Sequence, residues 1–301
     1  MQNNETTQTK WQGKSKGNII GYKIFVLIIK RLGVRAAYVL LFFVAFYYFV
    51  FEWRSNRYMY DYFRNRLGFS RIKSVGALYQ NYFTFGQTII DKVAILSGAG
   101  KQFTFEFDGV HHLQQLLEAK KGGVLISAHI GNFEIADHFF AQIDINCQIN
   151  IVTTDLERSA IKKYLESITT EKKSPDSFIL VKEDMSHIFE ISNALAKNEI
   201  ICFTGDRYFQ GTKHLTADFL GRQATFPAGP FVIASRMRVP VIFVYVMKEK
   251  NLHYHLYART IQAQPRDVQG LLHAYVKNME EMVQKYPLQW FNYFDFWEKT
   301  Q

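Results

Sequence analysis

Short apolar runs alternate with amphipathic stretches along most of the chain beyond residue 100. The runs have the length and the β-branched or aromatic content of strands; they are "FTFEF", "VLISA", "INIVT", "FILV", "IICFT", "VPVIFVYVM" and "HYHLYART". Helix-like segments separate them, over residues 133–143, 156–168 and 185–198, and a last one covers 265–286. This alternation predicts an α/β fold, with a central, largely parallel mixed sheet flanked by helices.

The longest apolar run, "AAYVLLFFVAFYYFVF" over residues 36–51, stands apart from this pattern. As a helix it would rise about 24 Å, somewhat less than the roughly 30 Å hydrocarbon core of a bilayer. Aromatic residues near its end, Tyr47, Tyr48 and Trp53, suit a membrane interface. We predict an N-terminal membrane-anchoring helix, either spanning or monotopic. A buried core helix is the alternative, because runs of this length occur in both settings.

The distribution of charge favours the membrane interpretation. The net charge is +9, and residues 1–75 contain thirteen Lys and Arg against three Asp and Glu, so the remainder is nearly neutral. Basic residues beside an apolar segment attract an anionic membrane surface. A nucleic-acid-binding protein would carry them on its folded body, so nucleic acid is not a predicted partner. We therefore predict two parts, an anchor with a basic aromatic segment over residues 1–75 and an α/β domain over 76–301.

Candidate chemistry lies in "SAHIGNFE", residues 127–134, at the end of a predicted strand. In open α/β sheets, functional groups collect in the loops at the carboxyl ends of strands. A carboxylate from Glu134 can hold one ring nitrogen of His129 and leave the other to act as a base. Gly131 permits the turn and Asn132 is a good helix N-cap, while backbone N–H groups near Gly131 are candidates to face an oxyanion. The spacing alone is weak evidence, and a structural histidine is the alternative.

Three ordered blocks carry a family resemblance. "HIGNFE" resembles the H-x4-[DE] box of the lysophospholipid acyltransferase superfamily, in the G-N-x-E form of late, lipid A-type acyltransferases of Gram-negative bacteria. Residues 203–246 resemble the same branch: an Asp after a strand, an F-x-G, a turn, a small-residue helix and a "P-V" strand. "YPLQWFNYFDFW" resembles its closing P-x-Q-W segment. With the apolar N-terminus, the resemblance covers roughly residues 20–298.

The resemblance implies a membrane-bound O-acyltransferase of the bacterial inner membrane, with its active site facing the cytoplasm. It would transfer a fatty acyl chain from an acyl thioester, carried by acyl-carrier protein or coenzyme A, to a hydroxyl of a glycolipid or lipid A-type acceptor. No metal and no other cofactor is predicted. His129 and Glu134 would be the catalytic residues. The predicted substrate-binding residues are Gly131, Asn132, Asp206 and Arg207, the last two having an internal ion pair as the alternative.

No nucleophile accompanies the histidine in the sequence. A G-x-S-x-G elbow is missing, no cysteine is adjacent, and Ser127 belongs to the end of the strand. His129 is therefore predicted to deprotonate the acceptor hydroxyl, which attacks the thioester directly.

Two departures from the family pattern leave the acceptor open. Ala228 in "FPAG" replaces the acid of the F-P-E-G turn of glycerol-phosphate acyltransferases, and Arg158 does not align with the arginine-rich stretch of several members. A lysophospholipid or aminolipid acyltransferase is thus an alternative, as is an inactive membrane scaffold of the same fold. The paired His129 and Glu134 argue against the scaffold.

Overall fold

A seven-stranded sheet forms the centre of the molecule. The computed structural model describes residues 19–140, 147–153, 177–182, 184–208, 212–261 and 264–297. The strands are β1 Thr104–Asp108, β2 Gly123–Ser127, β3 Ile149–Thr153, β4 Ser177–Leu180, β5 Ile200–Thr204, β6 His214–Phe219, β7 Arg222–Pro227, β8 Val241–Lys248 and β9 His253–Thr260. The sheet order is β1-β9-β8-β2-β5-β3-β4, while β6 and β7 form a separate two-stranded sheet.

The central strands are buried on both faces, which explains their continuous apolar runs. Every residue of β2 and of β8 is buried. Strand β2 lies between β5 and β8 and is parallel to both. Within the seven-stranded sheet, β8 and β9 pair antiparallel. The predicted largely parallel mixed sheet is therefore confirmed.

Helices flank this sheet as predicted. They are α5 Val110–Glu118, α6 Ala136–Phe140, α7 His187–Ala196, α8 Ala228–Arg236 and α9 Val268–Lys285. Helix α9 begins where the Asp267 side chain accepts a hydrogen bond from the Gly270 N–H at 2.8 Å. It buries Leu272, Tyr275 and Met279, the three- and four-residue spacing of one helix face. The helix predicted over residues 156–168 and the polar residues 1–18 lie outside the described residues.

The β6–β7 hairpin is an element that the sequence interpretation did not include. Leu220 and Gly221 connect its strands, with φ of 49° and 75°. Two consecutive positive φ angles are typical of the tight turn that matches the twist of a hairpin. Phe219 and Phe226 are buried on its inner side. The predicted small-residue helix follows it as α8, and Pro227, the last residue of β7, is at the N-cap of this helix.

Four helices precede the sheet: α1 Ile19–Leu32, α2 Val34–Phe51, α3 Trp53–Asp61 and α4 Arg71–Ala94. Helix α2 buries one stripe, formed by Val34, Ala37, Leu41 and Ala45. Leu41 packs on α4 at Gly86, where an added Cβ would lie 2.2 Å from the leucine Cδ1. A larger residue at position 86 would therefore displace the Leu41 side chain at this contact of α2 with α4.

Among the described residues, Val34–Phe51 is the one helix with the length and composition to cross a membrane. Only 22% of this segment is buried. Its outer face exposes large apolar side chains, namely Val39, Phe42, Phe43, Phe46, Tyr47, Val50 and Phe51. A helix that packs by one stripe and exposes the rest is not a core helix. The division of the chain at residue 75 stays a prediction, and α4 runs through that point.

Candidate active site

His129 lies at the carboxyl end of the central strand, as predicted. It follows β2 by two residues, and Asp206 follows β5 by two residues. The two strands are parallel neighbours, with Ser127 opposite Thr204 in the register. The Gly205 N–H donates to the Ser127 carbonyl at 2.9 Å and extends the pairing beyond both strands. This register brings together two side chains that are 77 residues apart in the sequence.

Asp206 holds His129 by two hydrogen bonds. One carboxylate oxygen lies 2.7 Å from the histidine Nδ1, and the other accepts the histidine backbone N–H at 2.9 Å. The carboxylate is 2% exposed, whereas the imidazole side chain is 26% exposed. The ring is thus fixed from inside the protein while it remains accessible from outside. Such an arrangement suits a base that reacts with an incoming substrate.

The surroundings of Asp206 favour its ionised form. Burial on its own would raise the pKa of Asp206, but the charge and hydrogen bonds of His129, together with Arg207, hold it below its ordinary value. When the imidazole is neutral, an ionised Asp206 accepts its Nδ1 proton. Since neutral imidazole carries one proton, the basic lone pair is then on Nε2.

Glycine is required in the turn that follows the histidine. Gly131 has φ of 69°, and an added Cβ would lie 2.2 Å from the Val246 carbonyl oxygen. Its N–H donates to the Gln289 carbonyl at 2.8 Å, and the Asn132 N–H donates to Val246 at 2.7 Å. Both N–H groups are engaged within the protein. In this arrangement they do not support the oxyanion role predicted for N–H groups near Gly131.

Asn132 occupies the predicted N-cap position, before the short 3₁₀ turn Phe133–Ile135, but its side chain makes no capping hydrogen bond. Instead the buried amide donates to the Thr88 carbonyl at 3.0 Å and to the Tyr254 hydroxyl at 3.3 Å. Contact of Gly131 or Asn132 with substrate stays a prediction.

Glu134 forms an ion pair with a lysine of α4. Its carboxylate lies 2.6 Å from the Lys92 Nζ, and the two side chains are 68% and 26% exposed respectively. The carboxylate on the histidine Nδ1 is Asp206, where the sequence predicted Glu134. The reason is the register of β2 and β5, which places Asp206 directly beside the ring. Whether Glu134 contributes to catalysis stays a prediction.

Arg207 lies beside the pair and donates to the Phe291 carbonyl at 3.1 Å. Its charge also helps to lower the pKa of Asp206. Both interactions keep its guanidinium near the site, and its predicted role in substrate binding is untested.

The C-terminal segment 287–291 holds the turn 129–132 from a second side. Its Gln289 accepts from Gly131, and the Phe291 N–H donates to the His129 carbonyl at 3.2 Å. Trp290 is fully buried and pairs with Ile130 through a β-bridge. Sequence reasoning identified this segment only as a family signature. Its backbone contacts with the turn were missed, because no local pattern reveals a bridge between segments 160 residues apart.

The comparison with protein families identifies the chain. The model of the bacterial lipid A biosynthesis acyltransferases matches residues 77–298, which include His129, Asp206 and the C-terminal segment. The chain belongs to this family. It is therefore an acyltransferase, and the predicted family is confirmed. Lipid A acyltransferases are associated with membranes, in agreement with the apolar outer face of α2. No curated protein matches the sequence.

Proposed function

We propose that the protein is a membrane-bound O-acyltransferase that transfers a fatty acyl chain from acyl-carrier protein to a hydroxyl of a glycolipid of the lipid A type. The observation that carries the proposal is the partly exposed His129 ring with its Nδ1 on buried Asp206, inside the region that matches the family. The proposed location is the cytoplasmic face of the bacterial inner membrane, where acyl thioesters are available.

In the proposed reaction, the Nε2 of His129 takes the proton of the acceptor hydroxyl as its oxygen attacks the thioester carbonyl. A tetrahedral oxyanion forms and collapses, the carbon–sulfur bond breaks, and the leaving thiolate takes the proton from the imidazolium. The products are an ester and a free thiol, so proton and electrons balance. Asp206 stabilises the imidazolium through the bond to Nδ1.

The environments of the nearby serine and cysteine favour direct transfer without an acyl-enzyme. Ser127 is fully buried at the end of β2, so an acyl donor does not reach its hydroxyl. Cys202 is buried in β5, and burial raises the pKa of its thiol, which disfavours the reactive thiolate. The acceptor oxygen is therefore the nucleophile in this proposal.

The alternative acceptor is a lysophospholipid or an aminolipid, with acyl-carrier protein or coenzyme A as the donor. Lipid mass spectrometry of a deletion strain separates these possibilities, because the species that lacks one acyl chain names the acceptor. We expect an under-acylated lipid A-type glycolipid, restored by the wild-type gene and not by His129→Ala. A deficit confined to phospholipids or aminolipids would replace the proposed acceptor, and an unchanged lipid profile would contradict the function.

The exposed face of α2 makes the mode of membrane attachment testable. Burying its large side chains in a bilayer contributes roughly 25 cal/mol per Å², and this contribution does not weaken with salt. Attraction of the basic residues to anionic lipid is screened by salt. We expect the wild-type protein to stay with membranes through washes with high salt and with carbonate.

A matched pair of variants checks the origin of this attachment. Val39, Phe43, Phe46 and Val50 lie on the exposed face of α2. Replacing all four with glutamine should permit carbonate to release the protein from membranes. Phe189→Gln changes an 80% exposed side chain on α7 and should leave attachment unchanged. Release of the wild-type protein by salt alone would overturn the membrane role of α2.

A further inference from the structure

A buried ion pair lies behind the catalytic turn and outside the reaction described above. Asp91 of α4 is fully buried, and its carboxylate lies 2.7 Å from the Nζ of Lys248 at the end of β8. The Tyr254 hydroxyl donates to the same carboxylate at 2.6 Å, and the Tyr38 hydroxyl of α2 donates to its other oxygen. The lysine Nζ also lies 5.2 Å from the Tyr254 ring centroid and 5.3 Å from that of Tyr38.

Two routes connect this ion pair with the turn that carries His129. In the first, Tyr254 accepts a hydrogen bond from Asn132, one residue beyond Gly131. In the second, the Lys248 backbone exchanges hydrogen bonds of 2.9 and 2.7 Å with the Gln289 side chain, and the backbone carbonyl of Gln289 accepts from the Gly131 N–H. The turn is therefore bonded at two consecutive residues to groups that contact Asp91 or Lys248: Asn132 to Tyr254, and Gly131 to Gln289.

Stability alone does not account for this arrangement. Desolvation of two charges offsets much of their attraction, and well-packed apolar residues often stabilise a core equally well. A fully bonded polar network instead fixes one geometry, because each donor has a defined acceptor. Burial, and then the charge of Asp91, raises the pKa of Tyr254 well above its ordinary value, so its hydroxyl keeps the proton that it donates.

We propose that Asp91 and Lys248 are positioning residues for acyl transfer, acting through Tyr254 and Asn132 on the turn 129–132. Tyr38 extends the same network to α2, so the outer helix and the catalytic turn share one set of hydrogen bonds. The inference rests on the proposed role of His129. It differs from a contribution to folding because it requires a loss of turnover in protein that remains folded.

Tyrosine-to-phenylalanine substitutions test the network because they remove one hydroxyl and keep the ring. Tyr254→Phe breaks the link between Asn132 and Asp91, and Tyr38→Phe removes the link from α2. Tyr79→Phe is the matched control: its hydroxyl donates to the Phe42 carbonyl at 3.3 Å, at the same contact of α4 with α2 but outside the network.

Each full-length variant is purified in detergent and assayed with radiolabelled acyl-carrier protein and the lipid extract of the deletion strain as acceptor. We expect Tyr254→Phe to lower kcat about 10- to 100-fold, the range that corresponds to one lost hydrogen bond to a charged group. Tyr38→Phe should lower kcat about fivefold, and Tyr79→Phe less than twofold. The KM for the acyl donor should stay within twofold, and melting temperatures should show that each variant is folded at the assay temperature.

The double variant Tyr38→Phe/Tyr254→Phe should lose less than the product of the single losses, since both hydroxyls act through one carboxylate. Wild-type kcat in Tyr254→Phe would overturn the positioning role, and so would equal losses of kcat in Tyr254→Phe and Tyr79→Phe. In either case an inactive His129→Ala would still support the proposed function. Wild-type activity of His129→Ala in the same assay would overturn both.

Discussion

His129→Ala is expected to reduce acyl transfer to the background of the assay while the protein stays folded and attached to membranes. The side chain supplies the base in the proposed reaction, and general-base catalysis contributes about two to four orders of magnitude. Loss of the imidazolium that returns a proton to the thiolate adds to this effect. The ring is partly exposed at the carboxyl end of β2, so its removal does not open a cavity in the core.

The alanine variant leaves Asp206 without the Nδ1 partner, which destabilises the fold by about 1–3 kcal/mol if the carboxylate stays ionised. His129→Asn separates this effect from catalysis. Its amide N–H can donate to Asp206 in place of Nδ1, but it has no basic nitrogen. Both variants should be inactive, and the asparagine variant should unfold nearer the wild-type temperature. Turnover at the wild-type rate by either purified variant would remove His129 from the mechanism.

The sequence predicts the fold well where its pattern is local. Strand β2 and the strands beside it are short apolar runs, and α9 has a strong helical period with an Asp267 cap. The position of His129 follows from a general rule for open sheets. The β6–β7 hairpin was missed because residues 203–246 were interpreted only through the family resemblance. Leu220–Gly221 nevertheless lies between two segments in which apolar and polar residues alternate.

The contacts around the histidine could not be predicted in the same way. Glu134 lies five residues away and was the obvious carboxylate, but hydrogen-bond partners in a parallel sheet depend on which strands are neighbours. The order places β5 beside β2, and their register sets Asp206 against His129. Likewise Asn132 has the composition of a helix cap, yet tertiary contacts with Thr88 and Tyr254 take its amide.

Asp206→Asn is expected to lower kcat by about three to four orders of magnitude, the size of effect seen when an orienting aspartate of a catalytic triad becomes an amide. The carboxylate accepts one hydrogen bond on each oxygen, from Nδ1 and from the histidine N–H. An amide offers one acceptor oxygen, so its NH₂ must face one of these groups. If it faces Nδ1, the proton of the ring moves to Nε2 and the base is lost. Steady-state kinetics with the donor at saturation measures the loss.

Glu134→Gln is the decisive comparison, because the sequence assigned the orienting role to that residue, with a loss of about two to four orders of magnitude for its removal. In the structure Glu134 is mostly exposed and pairs with Lys92, and such pairs contribute up to about 1 kcal/mol. We therefore expect Glu134→Gln to lose less activity than Asp206→Asn. Lys92→Gln is the control, since it breaks the same pair and keeps the Glu134 carboxylate. A nearly active Asp206→Asn beside an inactive Glu134→Gln and an active Lys92→Gln would remove the orienting role from Asp206 and show that the Glu134 carboxylate is needed for turnover.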